Sequence, residues 1–154
     1  MHNGFLKTND RLVNLKNVSN INILRSENKH RIIFNMNYNI EIYQHKQISD
    51  YVYWDSIDAN DLEQNIGYLK LNKYFSDNFI KQINEKGFIN KNEISSVKFS
   101  DKKNRVIFNL SHPVSFKDHK DQDIYKLTSE FVYVNCGTDS KYTEYGRYLQ
   151  AVLN

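Results

Sequence analysis

The sequence predicts an α+β fold: two tandem ββββα repeats packed as one pseudo-symmetric unit with antiparallel sheets. Three observations lead there. Residues 31–35 read RIIFN and residues 105–109 read RVIFN, so one short phrase is written twice. The stretches around the two phrases match in the same order. Each copy then closes on a segment whose apolar residues recur at helical spacing.

The first repeat runs over 11–75 and the second over 87–154, with an N-terminal extension at 1–10 and a connector at 76–86. LVNLKNVSNINIL (12–24) lies over FINKNEISSVKFS (88–100), setting Val13 on Ile89, Ser19 on Ser95, Ile21 on Val97 and Ile23 on Phe99. Polar turns follow, SENKH in one copy and SDKKN in the other, as a hairpin requires. The RIIFN and RVIFN strands alternate: Ile32 and Phe34, or Val106 and Phe108, face one way, and Arg31, Ile33 and Asn35 or their equivalents face the other. ISDYVYWD (48–55) lies over TSEFVYVN (128–135), placing Val52 and Trp54, or Val132 and Val134, on the core side.

The closing helices follow. Asp58 or Asn60 caps the first, with Leu62, Ile66 and Leu69 on one stripe. Thr138 or Ser140 caps the second, with Tyr142, Tyr145, Leu149 and Val152 on its stripe. Gly67 and Gly146 interrupt these helices at a cost of about 1 kcal/mol each relative to Ala, which a close approach of helix to sheet would explain. Pro113, the chain's one proline, marks an edge, a bend or a strand end. A repeat of this length is marginal alone, so the two share a core. The alternative architecture is a closed or half-open barrel, in the manner of a pleckstrin-homology-like domain.

Composition limits the function. A hydrophobic fraction of 40% with 11 Tyr and 9 Phe supplies a core and argues against disorder. The net charge of +3 admits a polyanionic partner without demanding one. A single Cys136 cannot form an internal disulfide, and MHNGFLKTNDR lacks a signal's apolar stretch, so a reducing, cytoplasmic setting is expected. No apolar run is long enough for a membrane span.

No catalytic, cofactor or metal signature stands out, and the expectation is a protein that is not an enzyme and needs no cofactor. The histidines (2, 30, 45, 112 and 119) have no ligand spacing. Asp118-His119-Lys120-Asp121-Gln122-Asp123 lacks the Gly and closing Glu of a calcium loop and reads as a solvated hairpin. Cys136 has no evident His partner and reads as an ordinary half-buried thiol.

The one patterned constellation is the face opposite the core. It carries Arg31, Asn35, Tyr51 and Tyr53 in the first copy, and Arg105, Asn109, Phe131 and Tyr133 in the second. Lys29, Lys98, Lys102 and Lys103 lie nearby in sequence. Cations contact phosphates and aromatic rings stack unpaired bases, so this face suits single-stranded DNA or RNA. Non-catalytic binding of such a strand is the functional expectation. A sheet covered on both faces would instead make the aromatics core and pair Arg31 and Arg105 with Asp50 and Glu130.

In element order and duplication, residues 11–154 resemble PUR-repeat proteins and, more distantly, Whirly-type single-strand binders. The resemblance implies two repeats interlocked through sheets and helices and a single-stranded DNA or RNA partner. It assigns no individual residue. The alternative function is a protein–protein interaction module, most simply a homodimer, that uses sheet edges and no nucleic acid.

Overall fold

The sequence repeat reappears as a repeat of strand register. The computed structural model describes residues 4–37, 40–43, 46–48, 51–117 and 123–154. The strands before the first long helix are β1 (Phe5–Lys7), β2 (Leu12–Asn14), β3 (Val18–Arg25), β4 (His30–Met36), β5 (Ile40–Tyr43), β6 (Lys46–Ile48) and β7 (Tyr51–Ser56). Helices α1 (Ala59–Leu71) and α2 (Lys73–Asn78) follow. Next come β8 (Phe79–Lys81), β9 (Gly87–Asn90), β10 (Ile94–Ser100), β11 (Arg105–Lys117) and β12 (Asp123–Asn135), and α3 (Asp139–Leu153) closes the chain. Mixed helix and antiparallel strand make it an α+β protein.

The chain divides into two compact units. The first holds residues 4–37, 51–81 and 85–90; the second holds 40–43, 46–48, 82–84, 91–117 and 123–154. In the first, an open sheet runs β7-β4-β3-β9-β8, every neighbour antiparallel. Its two edge strands, β7 and β8, do not pair with each other, so the sheet is not a closed barrel. β9, the opening strand of the second sequence repeat, therefore belongs to this first sheet. The 76–86 stretch carries the end of α2 and β8 rather than bare connection, and β1, in the 1–10 stretch, pairs with β2 and buries Leu6. Helix α1 packs on β4 and β7 through Leu62, Ile66 and Leu69, all buried in one core with Ile32, Phe34 and Trp54.

In the second unit β12 pairs with one edge of β11, while β10 and then β5 share its other edge, β6 flanking β5. The pairing of β5 with β11 is parallel, unlike the antiparallel pattern the sequence predicts. Parallel neighbours need a long connection, and the chain between residues 43 and 105 supplies one. Val106, Phe108, Leu110, Val134, Tyr145 and Leu149 are buried here, and Val132 is half-buried. Pro113 lies within β11 where its register with β12 shifts, so it marks an irregularity inside a long strand.

The two copies agree residue by residue. Ile21 faces Phe34 as Val97 faces Phe108, and Ile32 faces Trp54 as Val106 faces Val134. Both carry a bulge at the same place, after Val18 and after Ile94. The extra residue is a serine each time, and its hydroxyl donates to the carbonyl of Asn35 (3.1 Å) or Asn109 (2.9 Å). Asp58 caps α1 and Thr138 caps α3, each accepting from the backbone N–H three residues on. Gly67 and Gly146 correct an expectation. An added Cβ at either would meet nothing within 4 Å, so no close approach of helix to sheet requires them.

Candidate nucleic-acid interface

Strand pairing fixes which residues share the outer face in each unit. In the first, β3 contributes Asn20, Asn22 and Leu24, β4 contributes Arg31, Ile33 and Asn35, and β7 contributes Tyr51, Tyr53 and Asp55. In the second, the equivalent positions are Ser96, Lys98 and Ser100 on β10, Arg105, Ile107 and Asn109 on β11, and Phe131, Tyr133 and Asn135 on β12.

The aromatic pairs have the same form. Tyr51 and Tyr53 stack at 6.4 Å and 4°, and Phe131 and Tyr133 at 6.3 Å and 21°. Both pairs are exposed, Tyr53 at 47% and Tyr133 at 55%. Each arginine lies over the second ring of its pair, Arg31 at 4.3 Å from Tyr53 and Arg105 at 5.6 Å from Tyr133.

The charges differ. Arg31 makes a two-pronged ion pair with Asp55, its Nε and Nη2 donating to the two carboxylate oxygens. That hydrogen bond raises the arginine's pKa further above its usual value. Arg105 donates Nε–H to the neutral amide oxygen of Asn135 at 2.8 Å. Asp50 and the side chain of Glu130 lie outside the described residues.

The asparagines also differ. Asn35 is buried and donates to Asn20 at 2.6 Å, so it serves the sheet. Asn109 is half-buried and donates to Ser96 at 2.7 Å. Lys102 and Lys103 are exposed in the single 3-10 turn that joins β10 to β11, immediately before Arg105. Asn104 closes that turn in the left-handed region at φ 50, which asparagine tolerates.

The expected face is thus a set of neighbours within each unit, Asn35 being buried and bonded sideways to Asn20 on the same face. Sequence alone set Lys98 merely nearby and did not pick out Asn135, yet both belong to the outer face. Lys98 stands opposite Ile107, where the first copy has Asn22, and Asn135 stands where the first copy has Asp55. The signal for both was in the alignment of the copies, read for differences rather than for likeness.

The other sequence candidates are quickly placed. Cys136 is buried, and burial pushes its thiol pKa up, opposite to an activated nucleophile. The 118–123 cluster lies outside the described residues apart from the backbone of Asp123. Among the described residues no group of His, Cys, Asp and Glu is arranged to hold a metal ion, and no helix is long and apolar enough to cross a membrane. Comparison with protein-family models, curated proteins and solved structures finds no match to this chain.

Proposed function

We propose that the chain binds single-stranded nucleic acid, without catalysis, on the outer face of its second unit. The observation that carries this reading is a charge difference between equivalent faces. The first has Arg31 and Asp55, which cancel. The second has Lys98 and Arg105 with no carboxylate among its nine positions, and Lys102 and Lys103 at its end. Phosphates fit the cations, and bases fit Phe131 and Tyr133 at roughly 1–3 kcal/mol per stacked ring. The PUR-like element order agrees with this use of a sheet.

Fluorescence anisotropy with labelled single-stranded DNA and RNA across a salt series tests it. Affinity falls as salt rises, and Lys98→Gln with Arg105→Gln lowers the slope by about 0.7 for each phosphate left without its cation. Phe131→Ala with Tyr133→Ala weakens binding at nearly constant slope, because stacking releases no counterions. Wild-type protein that ignores every strand at low salt refutes the proposal.

A second reading rests on β12. Among the described residues this 13-residue strand pairs only with β11, which leaves a long edge for strand addition by a second copy. Sedimentation velocity at micromolar concentration decides it: a dimer supports edge pairing and a strict monomer excludes it.

A further inference from the structure

The two copies also differ on the helix side of the sheet, at one equivalent pair of residues. In the first copy the α1 sequence reads Ile66-Gly67; in the second, α3 reads Gly146-Arg147. Ile66 is buried at 2%, and Glu63, three residues before it on α1, is ion-paired with Arg25 at 3.0 Å. The positions of that pair are held in the second copy by Asp101 and Thr143. Where Ile66 fills the space, Gly146 leaves it open. A cleft of about 310 Å³ lies there, lined by Phe99, Asp101, Tyr142, Gly146, Arg147 and Gln150 among others.

Its walls are specific. Phe99 projects to the core side of β10 yet is 46% exposed, whereas its equivalent Ile23 is packed against the core. The Phe99 and Tyr142 rings meet edge to face at 6.4 Å and 74°, forming a corner in which a planar ring stacks on one and abuts the other. Tyr142 donates its hydroxyl to Asp101 Oδ1 at 2.6 Å, so the phenol stays protonated, its pKa pushed up to about 12. Asp101 is exposed, and its Oδ2, which has no hydrogen bond among the described residues, is open to a donor on a ligand. Arg147 is exposed, has no ion-pair partner among the described residues, and lines a neighbouring cavity with Asp139 and Glu144, so it is open to an anion entering from the cleft side.

Tyr142 leans toward the start of α3 to reach Asp101, and Arg147 is five residues further along, about 7.5 Å of helix rise. We infer that the cleft binds a nucleoside monophosphate whose base carries an exocyclic amino group. The base lies in the Phe99–Tyr142 corner, its amino group donates to Asp101, and its phosphate meets Arg147. The site is separate from the outer sheet face and stands whether or not that face binds a strand.

The test is titration of the full chain with AMP, CMP, UMP and inorganic phosphate, followed by amide chemical shifts. AMP and CMP are expected to shift Phe99, Asp101, Tyr142, Gly146 and Arg147, with UMP weaker and phosphate alone without effect on the Phe99 and Tyr142 amides. Gly146→Ile, which copies the first repeat, abolishes the shifts while spectral dispersion is kept. Arg147→Gln, at an exposed position, weakens AMP binding roughly tenfold, the worth of a charge-assisted bond. AMP shifts confined to Lys98, Arg105, Phe131 and Tyr133 would overturn the inference. So would no shifts at millimolar AMP, equal binding of UMP, or AMP affinity unchanged in Arg147→Gln.

Discussion

Arg105 and Asn135 face each other across β11 and β12 at the register position that Arg31 and Asp55 occupy across β4 and β7. The pairing geometry is shared, and the partner alone changes from carboxylate to amide. One oxygen-for-nitrogen exchange thus decides whether the arginine's charge is cancelled locally or presented to a partner.

Exchanging the two partners should therefore exchange the electrostatics. Asn135→Asp is expected to cancel Arg105, lower affinity for single-stranded DNA and reduce the salt slope by about 0.7. Asp55→Asn should do the reverse in the first unit. Both sites are on exposed strand positions, so thermal midpoints should move little. Anisotropy on the two variants beside wild type is sufficient; an Asn135→Asp protein with an unchanged slope would detach Arg105 from any phosphate.

The cores make a second comparison. Phe34 and Phe108 are both wholly buried, at matching positions opposite Ile21 and Val97. Truncating either to Ala should cost about 3–5 kcal/mol. Trp54, the only tryptophan, is 4% exposed and lies in the core with Phe34, so its emission reports on the first unit. Phe34→Ala should shift that emission toward the exposed value at lower denaturant. Urea titration reads it, and a wild-type midpoint would contradict the burial.

Much of this fold is legible from the chain because a duplication supplies two independent readings of each position. The Ile32/Phe34 and Val106/Phe108 alternation, the caps at Asp58 and Thr138, and the stripe through Leu62, Ile66 and Leu69 all depend on local periodicity. Which sheet β9 joins does not. Gly87–Asn90 reads the same whether it pairs with β10 or β3, and its partnership with β3 is a long-range choice. The parallel pairing of β5 with β11 is hidden for the same reason. At the outer face, alternation placed Arg31, Tyr51 and Tyr53 together, but nothing local shows that Asn35 would be buried against Asn20. The Phe99–Tyr142 cleft needed geometry, since its cause is a side chain that is missing.

Gly67 offers a stabilising change. It sits exposed in the middle of α1 with nothing within 4 Å of an added Cβ. Ala there should gain about 0.5–1 kcal/mol from helix propensity and reduced freedom of the unfolded chain. Differential scanning calorimetry should show a higher midpoint for Gly67→Ala. A lower one would mean that the helix surface touches something at this position.

Alkaline pH should weaken the fold through two buried acids. Burial raises the thiol of Cys136 above its ordinary value near 9 and the phenol of Tyr145 far above its ordinary value near 10. In both, the neutral form is the one the fold favours. Their stabilisation is complete below the unfolded pKa and is lost as pH rises through that value toward the folded one. The urea midpoint should therefore hold steady through neutral pH and decline from about pH 9 upward, first through Cys136 and then through Tyr145. Cys136→Ala with Tyr145→Phe should flatten much of that decline while leaving the share due to Tyr142, whose phenol is also held above its usual value by its bond to Asp101. The same burial predicts slow labelling of Cys136 by a thiol reagent in the native protein and fast labelling in urea. Labelling of the folded chain at the rate of a free thiol would show that Cys136 is open to solvent and remove it from this account.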